Sequence, residues 1–233
     1  MNVRRHIRTA PALDAGLLIV RLLASLALGL TLWAQPAFPD APRGRSDALA
    51  GLASADPAAR AEAIGWIAEH GAMADTPLLQ KRLRDESPAL RELAEQGLWR
   101  LWSRSGDPAI DALMARGGAE MQAGRLAAAI GTFSEVIRRK PAFAEGWNRR
   151  ATAYYLAEEF ERSIADCREV LKRNPAHFGA LSGLGQIYAA MERDEDALDW
   201  FRRALAVNPN MAGVAENIRG IEQRLNARRR RTI

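Results

Sequence analysis

Four side chains of the kinds that bind metals or act as nucleophiles occur in this sequence, but none is spaced for that chemistry. Cys167 is the only cysteine, and the three histidines are His6, His70 and His177. None of them stands at ligand spacing from another or from a pair of carboxylates, as a zinc site requires. The sequence also has no glycine-rich phosphate loop that follows a strand. We therefore expect no metal, no cofactor, no small-molecule substrate and no catalytic activity.

Two clusters of carboxylates have a structural explanation instead. Glu158–Glu159 and Asp194–Asp196 both lie where a helix is predicted to begin. Negative charge at that end is stabilised by the helix dipole, so these acids need no catalytic role. Cys167 falls on the inward face of a predicted helix, where it serves as a small apolar side chain. A single cysteine also excludes a disulfide within the chain.

Composition favours helices and gives no sign of a nucleic-acid surface. Aromatic residues make up only 6% of the 233 residues, and β-branched residues rarely occur in runs. The net charge is +5 and is concentrated at the two ends of the chain. The basic residues responsible are Arg4, Arg5, Arg8, Arg21 and the run Arg228 to Arg231. A nucleic-acid groove would instead carry its positive charge along the folded surface, so nucleic acid is not an expected partner.

Residues 1–45 are predicted to be a targeting segment followed by a linker. A basic start is followed by an apolar run from Ala15 to Ala34, interrupted at Arg21, and then by prolines between Gln35 and Pro42. This order is typical of a secretory signal, although about 20 apolar residues are also just enough to span a bilayer. Residues 1–34 are thus predicted to be a signal peptide or an N-terminal membrane anchor, and 35–45 a linker. Either alternative places the rest of the chain outside the cytoplasm, so the protein is expected to be periplasmic or exported. Contact with the membrane is expected only through this segment, and only if it is not cleaved.

Three prolines mark an internal repeat in the second half of the chain. Pro141, Pro175 and Pro209 stand at equal intervals, and each follows an amphipathic segment with apolar residues at steps of three and four. A proline in that position indicates the end of a helix. The interval, about 34 residues, is the length of a tetratricopeptide helix–turn–helix unit.

The residues between the prolines resemble the tetratricopeptide repeat (TPR) family. In the middle unit, the residues that match the family's aromatic, small and proline positions are Trp147, Ala151, Tyr154, Ser163, Cys167, Val170 and Pro175. The third unit has Leu181, Leu184, Gly185, Tyr188, Ala197, Phe201, Ala204 and Pro209. The first unit has Leu113, Gly117, Ala129, Phe133, Val136 and Pro141. There Glu120 replaces the family's tyrosine, a departure that predicts looser packing of this helix pair.

The resemblance implies an all-α fold, an α-solenoid of antiparallel helix pairs over residues 109–227. Its three units are about 110–143, 144–177 and 178–211. Met211–Arg228 has apolar residues on one side, which predicts a capping helix over the last unit. The remaining residues, 228–233, form a basic tail.

A weaker and slightly shorter period precedes these units, over residues 46–106. The residues that recur are Leu52, Pro57, Ala58, Arg60 and Ala63, matched by Leu83, Pro88, Ala89, Arg91 and Ala94. Each half predicts a short helix and then a longer one that begins at a proline. The pattern resembles short HEAT-like repeats. Trp99 and Trp102 end this segment, and we expect them to pack at the junction with the repeats that follow.

In the TPR family, the first helices of successive units line a concave groove that binds an extended peptide or a helix of another protein. Projecting that face onto this sequence gives Met114, Met121, Gln122, Glu145, Asn148, Arg149, Thr152, Tyr155, Ser182 and Gln186. Asn148 and Gln186 have the donors and acceptors to bind a peptide main chain. The groove has no lysine, so the recognition of C-terminal carboxylates known from chaperone-binding members is not expected.

The sequence therefore predicts an exported, non-catalytic scaffold or adaptor that assembles proteins in a bacterial envelope. Its expected partner is another protein or an extended segment of one. Two alternatives stay open at this point. The repeats could associate with themselves as a structural subunit, or the chain could be an accessory subunit of an envelope enzyme complex, because one repeat fold serves many partners.

Overall fold

The computed structural model of the chain describes residues 41–231, which are built from α-helices without a β-strand. The predicted signal peptide or anchor, residues 1–34, lies outside the described residues, as do most of the linker and the last two residues. Within 41–231, no helix is both long enough and apolar enough to cross a membrane. The all-helical solenoid expected from the sequence is therefore confirmed for the described part of the chain.

Four helices form two hairpins at the beginning of the described chain. They are α1 (Arg45–Leu52), α2 (Pro57–His70), α3 (Thr76–Arg82) and α4 (Pro88–Ser103), with a 3₁₀ turn at Met73–Asp75. Prolines open α2 and α4 because the first helical residue needs no hydrogen-bond donor and the ring already holds the helical φ angle. Asp56 caps α2 by accepting a hydrogen bond from the backbone of Ala58.

The two hairpins repeat each other in their hydrogen bonds as well as in their sequence. The Arg60 guanidinium donates to the carbonyls of Ser54 and Ala55. Arg91, the equivalent residue of the second hairpin, donates to the carbonyls of Asp85 and Glu86 in the same way. Each arginine thus holds the loop that precedes its own helix. We refer to residues 45–105 as the N-terminal block.

Three helix pairs and a final helix follow the N-terminal block. They are α5 (Pro108–Gln122), α6 (Leu126–Arg139), α7 (Ala144–Leu156), α8 (Phe160–Arg173), α9 (Phe178–Ala190), α10 (Asp194–Val207) and α11 (Ala212–Arg231). The second helix of each pair ends two residues before its proline, at Arg139, Arg173 and Val207. Apolar residues of α11, among them Val214 and Ile221, pack into the same core cluster as Phe201 of α10.

Small residues on the first helices let the paired helices approach closely. A Cβ atom at Gly117 would lie 2.6 Å from the Phe133 ring, and one at Gly185 would lie 2.4 Å from the Phe201 ring. Both glycines are therefore required by the aromatic ring that packs on them. Glu120, at the tyrosine position of the first unit, is buried, and its carboxylate accepts hydrogen bonds from Thr132 and Arg116. A polar contact thus replaces the aromatic one in this pair.

Candidate functional site: the groove of the repeats

The groove is the surface formed by α7, α9 and α11, where two cavities open. Four of the residues expected there from the sequence line the smaller cavity together: Asn148, Thr152, Tyr155 and Gln186. The first-unit residues do not join them. Met114 and Met121 are partly buried against the apolar cores of the first two units, and Gln122 is exposed away from either cavity.

Glu145 was expected to face a partner, and this expectation is wrong. It is 1% exposed, and its carboxylate is occupied from three sides. Arg149 Nε lies 2.7 Å from Oε1, Asn148 Nδ2 donates to Oε2 over 3.0 Å, and His177 Nε2 lies 3.3 Å from Oε2. Glu145 therefore positions Asn148 and Arg149 and contacts no partner. Ser182 is also buried, and its hydroxyl donates to the Gly179 carbonyl.

His177 is the residue of this network that the sequence analysis did not single out. It is completely buried, and its Nδ1 accepts a hydrogen bond of 3.1 Å from the backbone N–H of Ala180, which caps α9. Because Nδ1 accepts, the ring hydrogen sits on Nε2 and is donated to Glu145. Burial opposes ionisation of Glu145, but the hydrogen bond from His177 and the contacts with Arg149 outweigh it. The pKa of Glu145 accordingly lies below its ordinary value.

One edge of the repeats is covered by the N-terminal block. Trp102 of α4 stacks on His177 with ring centroids 4.5 Å apart, and its ring also contacts Phe178. Trp99 lies so close to Gly179 that a Cβ atom there would be 2.5 Å from the indole ring. The two tryptophans were expected at the junction with the repeats that follow. They pack against His177 at the end of the second unit and against Phe178 and Gly179 of the third unit, not against the first unit, which follows them directly in sequence.

The N-terminal block touches the three turns that follow α6, α8 and α10. The Lys140 ammonium in the first turn donates to the carbonyl of Ser105, and His177 follows the second turn. In the third turn Asn208 donates to Glu95 over 3.0 Å, and Asn210 donates to the Leu83 carbonyl over 2.8 Å. Residues 83–105 therefore close the groove along its turn edge.

The larger cavity of the groove, about 430 Å³, includes residues of α11 that the sequence analysis treated only as a cap. Its lining consists of Tyr155, Gln186, Ala189, Ala190, Phe201, Glu216, Asn217, Gly220, Ile221 and Arg224. Arg224 is already paired with Asp194, at 2.7 Å. Within residues 41–231 the amides of Gln186 and Asn217 make no hydrogen bond to another side chain or to the backbone. The groove thus offers free, uncharged donors and acceptors.

The smaller cavity, about 60 Å³, lies between α7 and α9. Its lining residues are Asn148, Ala151, Thr152, Tyr155, Ser163, Cys167, Gly179, Gly183, Gln186 and Ile187. Burial raises the pKa of the Cys167 thiol to about 12, with a smaller contribution from the nearby charge of Asp166. The thiol is therefore protonated at neutral pH and is an apolar wall, not a nucleophile.

A third cavity, larger than both, lies in the N-terminal block and is less suited to bind a partner. It has a volume of about 940 Å³ and is lined by charged residues that include Arg60, Arg82 and Asp85. Both carboxylate oxygens of Asp85 accept hydrogen bonds from Arg60, each over 3.0 Å. The charges of Arg60 and Asp85 thus already serve the contact between the two hairpins. In the described part of the chain, no three His, Cys, Asp or Glu side chains are grouped to hold a metal ion.

Comparison with known proteins agrees with this architecture. The sequence profile described as tetratricopeptide repeat matches residues 88–144, 114–171 and 148–212, together more than half of the chain. A TPR repeat-containing protein of Rhizobium etli is 33% identical over 128 residues, 55% of this chain and 63% of that protein. A small glutamine-rich tetratricopeptide repeat-containing protein of Dictyostelium discoideum is 28% identical over 94 residues, 40% of this chain and 28% of that protein. The chain thus spans less than two thirds of either relative.

Among solved structures, the TPR domain of Sgt2 from Aspergillus fumigatus shares the fold. It superimposes with a TM-score of 0.51 at 20% identity, over 53% of this chain and 83% of that one. The first profile match begins at Pro88, so it includes α4 of the N-terminal block as well as the first helix pair. The chain belongs to the tetratricopeptide repeat family, and its repeats form a scaffold for protein interaction.

Proposed function

We propose that this protein is an exported, non-catalytic adaptor that holds a segment of another protein in its groove and so assembles a complex in a bacterial envelope. The observation that carries the proposal is the set of free amides, Gln186 and Asn217, beside Tyr155 in a cavity of about 430 Å³. Amides satisfy both the donors and the acceptors of an extended main chain. Tyrosine adds a flat amphipathic surface at little cost in conformational entropy.

The covered turn edge supports this function because it fixes the groove before a partner arrives. Residues 83–105 contact the turns that precede α7, α9 and α11, so the relative positions of these helices are set by tertiary contacts. A preorganised site binds without the entropic cost of ordering mobile loops. The groove is thus suited to a flexible segment that becomes ordered on binding, while the scaffold stays unchanged.

Capture from a native envelope extract tests the proposal. The full chain is the bait, beside a groove variant with Tyr155→Ala, Gln186→Ala and Asn217→Ala. A control variant carries Gln223→Ala and Asn226→Ala, two exposed amides of α11 that line neither groove cavity. We expect mass spectrometry to find a protein that the parent and the control retain and that the groove variant loses. Identical sets on all three baits would place the working surface outside the groove.

The export proposal rests on the basic, apolar and proline-rich order of the segment 1–42. It is tested by fractionating cells that express the full chain with a C-terminal tag. We expect the protein in the periplasmic fraction, with a mass that corresponds to cleavage after Ala34 or Ala37. A full-length protein in the membrane fraction would indicate the anchored alternative, and one in the cytoplasmic fraction would contradict export.

A further inference from the structure

The middle repeat lacks the large side chain that its two neighbours place at the same position. Phe133 and Phe201 occupy this position in the first and third units, and each ring packs on a glycine of the paired helix. In the middle unit the corresponding residue, one repeat away from each ring, is Cys167. Its partner is Ala151 in place of glycine, which the smaller thiol accommodates. The exchange of Gly–Phe for Ala–Cys removes a phenyl ring and returns only a thiol and one methyl group.

The space that the missing ring leaves opens into the groove. The cavity of about 60 Å³ has Ala151, Cys167 and Ile187 in its wall, and all three are at most 3% exposed. Asn148 and Gln186 lie at the same cavity, one on α7 and one on α9. Thus the floor is apolar, while the side chains around it are amides and hydroxyls.

We propose that this cavity is a specificity pocket that takes one small aliphatic side chain, of the size of valine, from an uncharged extended segment of the partner. The side chain would replace the ring that Cys167 omits, and Asn148 and Gln186 would bind the main chain on either side of it. This inference rests on the proposed function and adds the class of sequence that the groove selects.

Size and charge both restrict the occupant. An internal cavity that accepts benzene measures about 150 Å³, so a cavity of about 60 Å³ is too small to enclose an aromatic ring. The charge next to the pocket is already balanced, because Arg149 is bound to the buried Glu145 at 2.7 Å. A carboxylate or an ammonium group in the pocket would lose its water without gaining a partner. Small, branched and uncharged side chains remain.

A double variant removes the pocket while leaving the amides around it in place. Ala151→Gly with Cys167→Phe recreates the Gly–Phe pair that the first and third units already accommodate. The full chain and this filled variant are used to select binders from a displayed library of short uncharged peptides. Gly118→Ala is the matched control. Gly118 lies on α5, the first helix of the first unit, and a Cβ atom there would have no neighbour within 4 Å.

We expect peptides selected on the parent to share one small aliphatic position. Changing that residue to Phe or Asp, or using the filled variant, should weaken binding at least about tenfold, since burying such a side chain is worth that much. The Gly118→Ala control should bind like the parent. Selection without a common small aliphatic position overturns the proposal, as does equal binding by the filled variant. Some peptides could bind the parent and the filled variant equally but fail to bind Gln186→Ala. That result would contradict the pocket and would still support peptide binding in the groove.

A second measurement needs no partner. Xenon gas is used as a small apolar probe, and the methyl resonances of Ala151 and Ile187 are followed by NMR as its pressure rises. We expect saturable shifts in the parent and in Gly118→Ala, because the apolar floor formed by Ala151, Cys167 and Ile187 offers xenon the kind of contacts that it makes in apolar cavities. The Ile187 shift should be absent from the filled variant, and its spectrum also shows whether that variant keeps the native fold. Failure of the parent to respond would overturn the proposal whatever the peptides show.

Discussion

Trp102 and His177 stack with their ring centroids 4.5 Å apart and their planes at 25°, although they lie far apart in the chain. His177 in turn caps α9 through Ala180 and donates to Glu145 of α7. One buried imidazole therefore connects α4, α7 and α9. Because Phe178 belongs to the same apolar cluster as the core of the N-terminal block, the block and the repeats share a continuous core.

Replacing Trp102 by alanine is expected to destabilise the protein by about 3 to 5 kcal/mol, the usual cost of removing a buried indole. Trp102 is 2% exposed and lies at the contact between the block and the third unit. We therefore also expect the repeats to unfold separately from the block in urea, followed by circular dichroism. Trp200→Ala is the control, since Trp200 is only half-buried on α10. A single transition with an unchanged midpoint in Trp102→Ala would contradict a shared core.

Glu145→Gln is expected to lower the free energy of unfolding and to weaken the dependence of that free energy on pH. The folded-state pKa of Glu145 lies below its ordinary 4.5, so the ionised group stabilises the fold above that pH. This contribution is lost as the pH falls through the lower folded-state value. At pH 7 the variant should lose about 1 to 3 kcal/mol, because Arg149 and His177 lose a charged acceptor.

The free energies of unfolding of the parent and of Glu145→Gln should then converge as the pH is lowered from 7 toward 3, measured by urea titration at each pH. Glu222→Gln serves as the control. Its exposed carboxylate pairs with Arg202, and such pairs contribute less than about 1 kcal/mol. A gap between the parent and Glu145→Gln that stays constant with pH would show that the buried carboxylate is not the acid-sensitive group.

Glu158→Gly and Glu192→Gly are each expected to raise the stability by up to about 1 kcal/mol. Both glutamates have left-handed backbones, with φ of 59° and 58°, at the position where the first unit has Gly124 with φ 71°. This conformation costs an L-residue with a side chain about 1 to 2 kcal/mol. Glycine avoids that cost but loses about 0.5 to 1 kcal/mol through the greater entropy of its unfolded chain.

The thermal midpoint of each variant checks this expectation. Ala165→Gly is the control, since it introduces the same residue at an exposed position in the interior of α8, where glycine costs about 1 kcal/mol. A fall in the midpoint for Glu158→Gly and Glu192→Gly that matches the control would show that the turns carry no backbone strain.

Gly185→Ala and Gly183→Ala are expected to differ although they lie close together on α9. At Gly185 the new methyl group would lie 2.4 Å from the Phe201 ring, whereas at Gly183 its nearest neighbour is Cys167 Sγ at 3.8 Å. Overpacking costs about 1 to 3 kcal/mol, so Gly185→Ala should be clearly destabilised in urea. Gly183→Ala should be close to the parent or slightly more stable. Equal effects at both positions would contradict the close approach of α9 and α10.

Much of the repeat architecture was predictable because it is local and periodic. Pro141, Pro175 and Pro209 indicated the ends of three helices, since proline cannot continue a helix whatever the rest of the chain does. The same spacing placed Asn148 and Gln186 on successive first helices, and the structure has both at one cavity. The two residues are one unit plus four residues apart, and residues four apart on a helix share a face.

The N-terminal block could be predicted as helices but not as a part of the groove. Its shorter period indicated where α2 and α4 begin, and Pro57 and Pro88 open them. Nothing local to α4 specifies that Trp102 meets the second and third units and not the first. That contact depends on which apolar surfaces of distant elements fit each other.

The sequence by itself determined the helices, their pairing and the first helices' shared face, because these follow from interactions within one unit of about 34 residues. Only the tertiary structure decided which of those residues a partner can reach. It buried Glu145 with His177, closed the turn edge with residues 83–105 and brought Asn217 of α11 to the groove. Burial and access depend on packing between segments far apart in the chain, and no periodic pattern in the sequence encodes that packing.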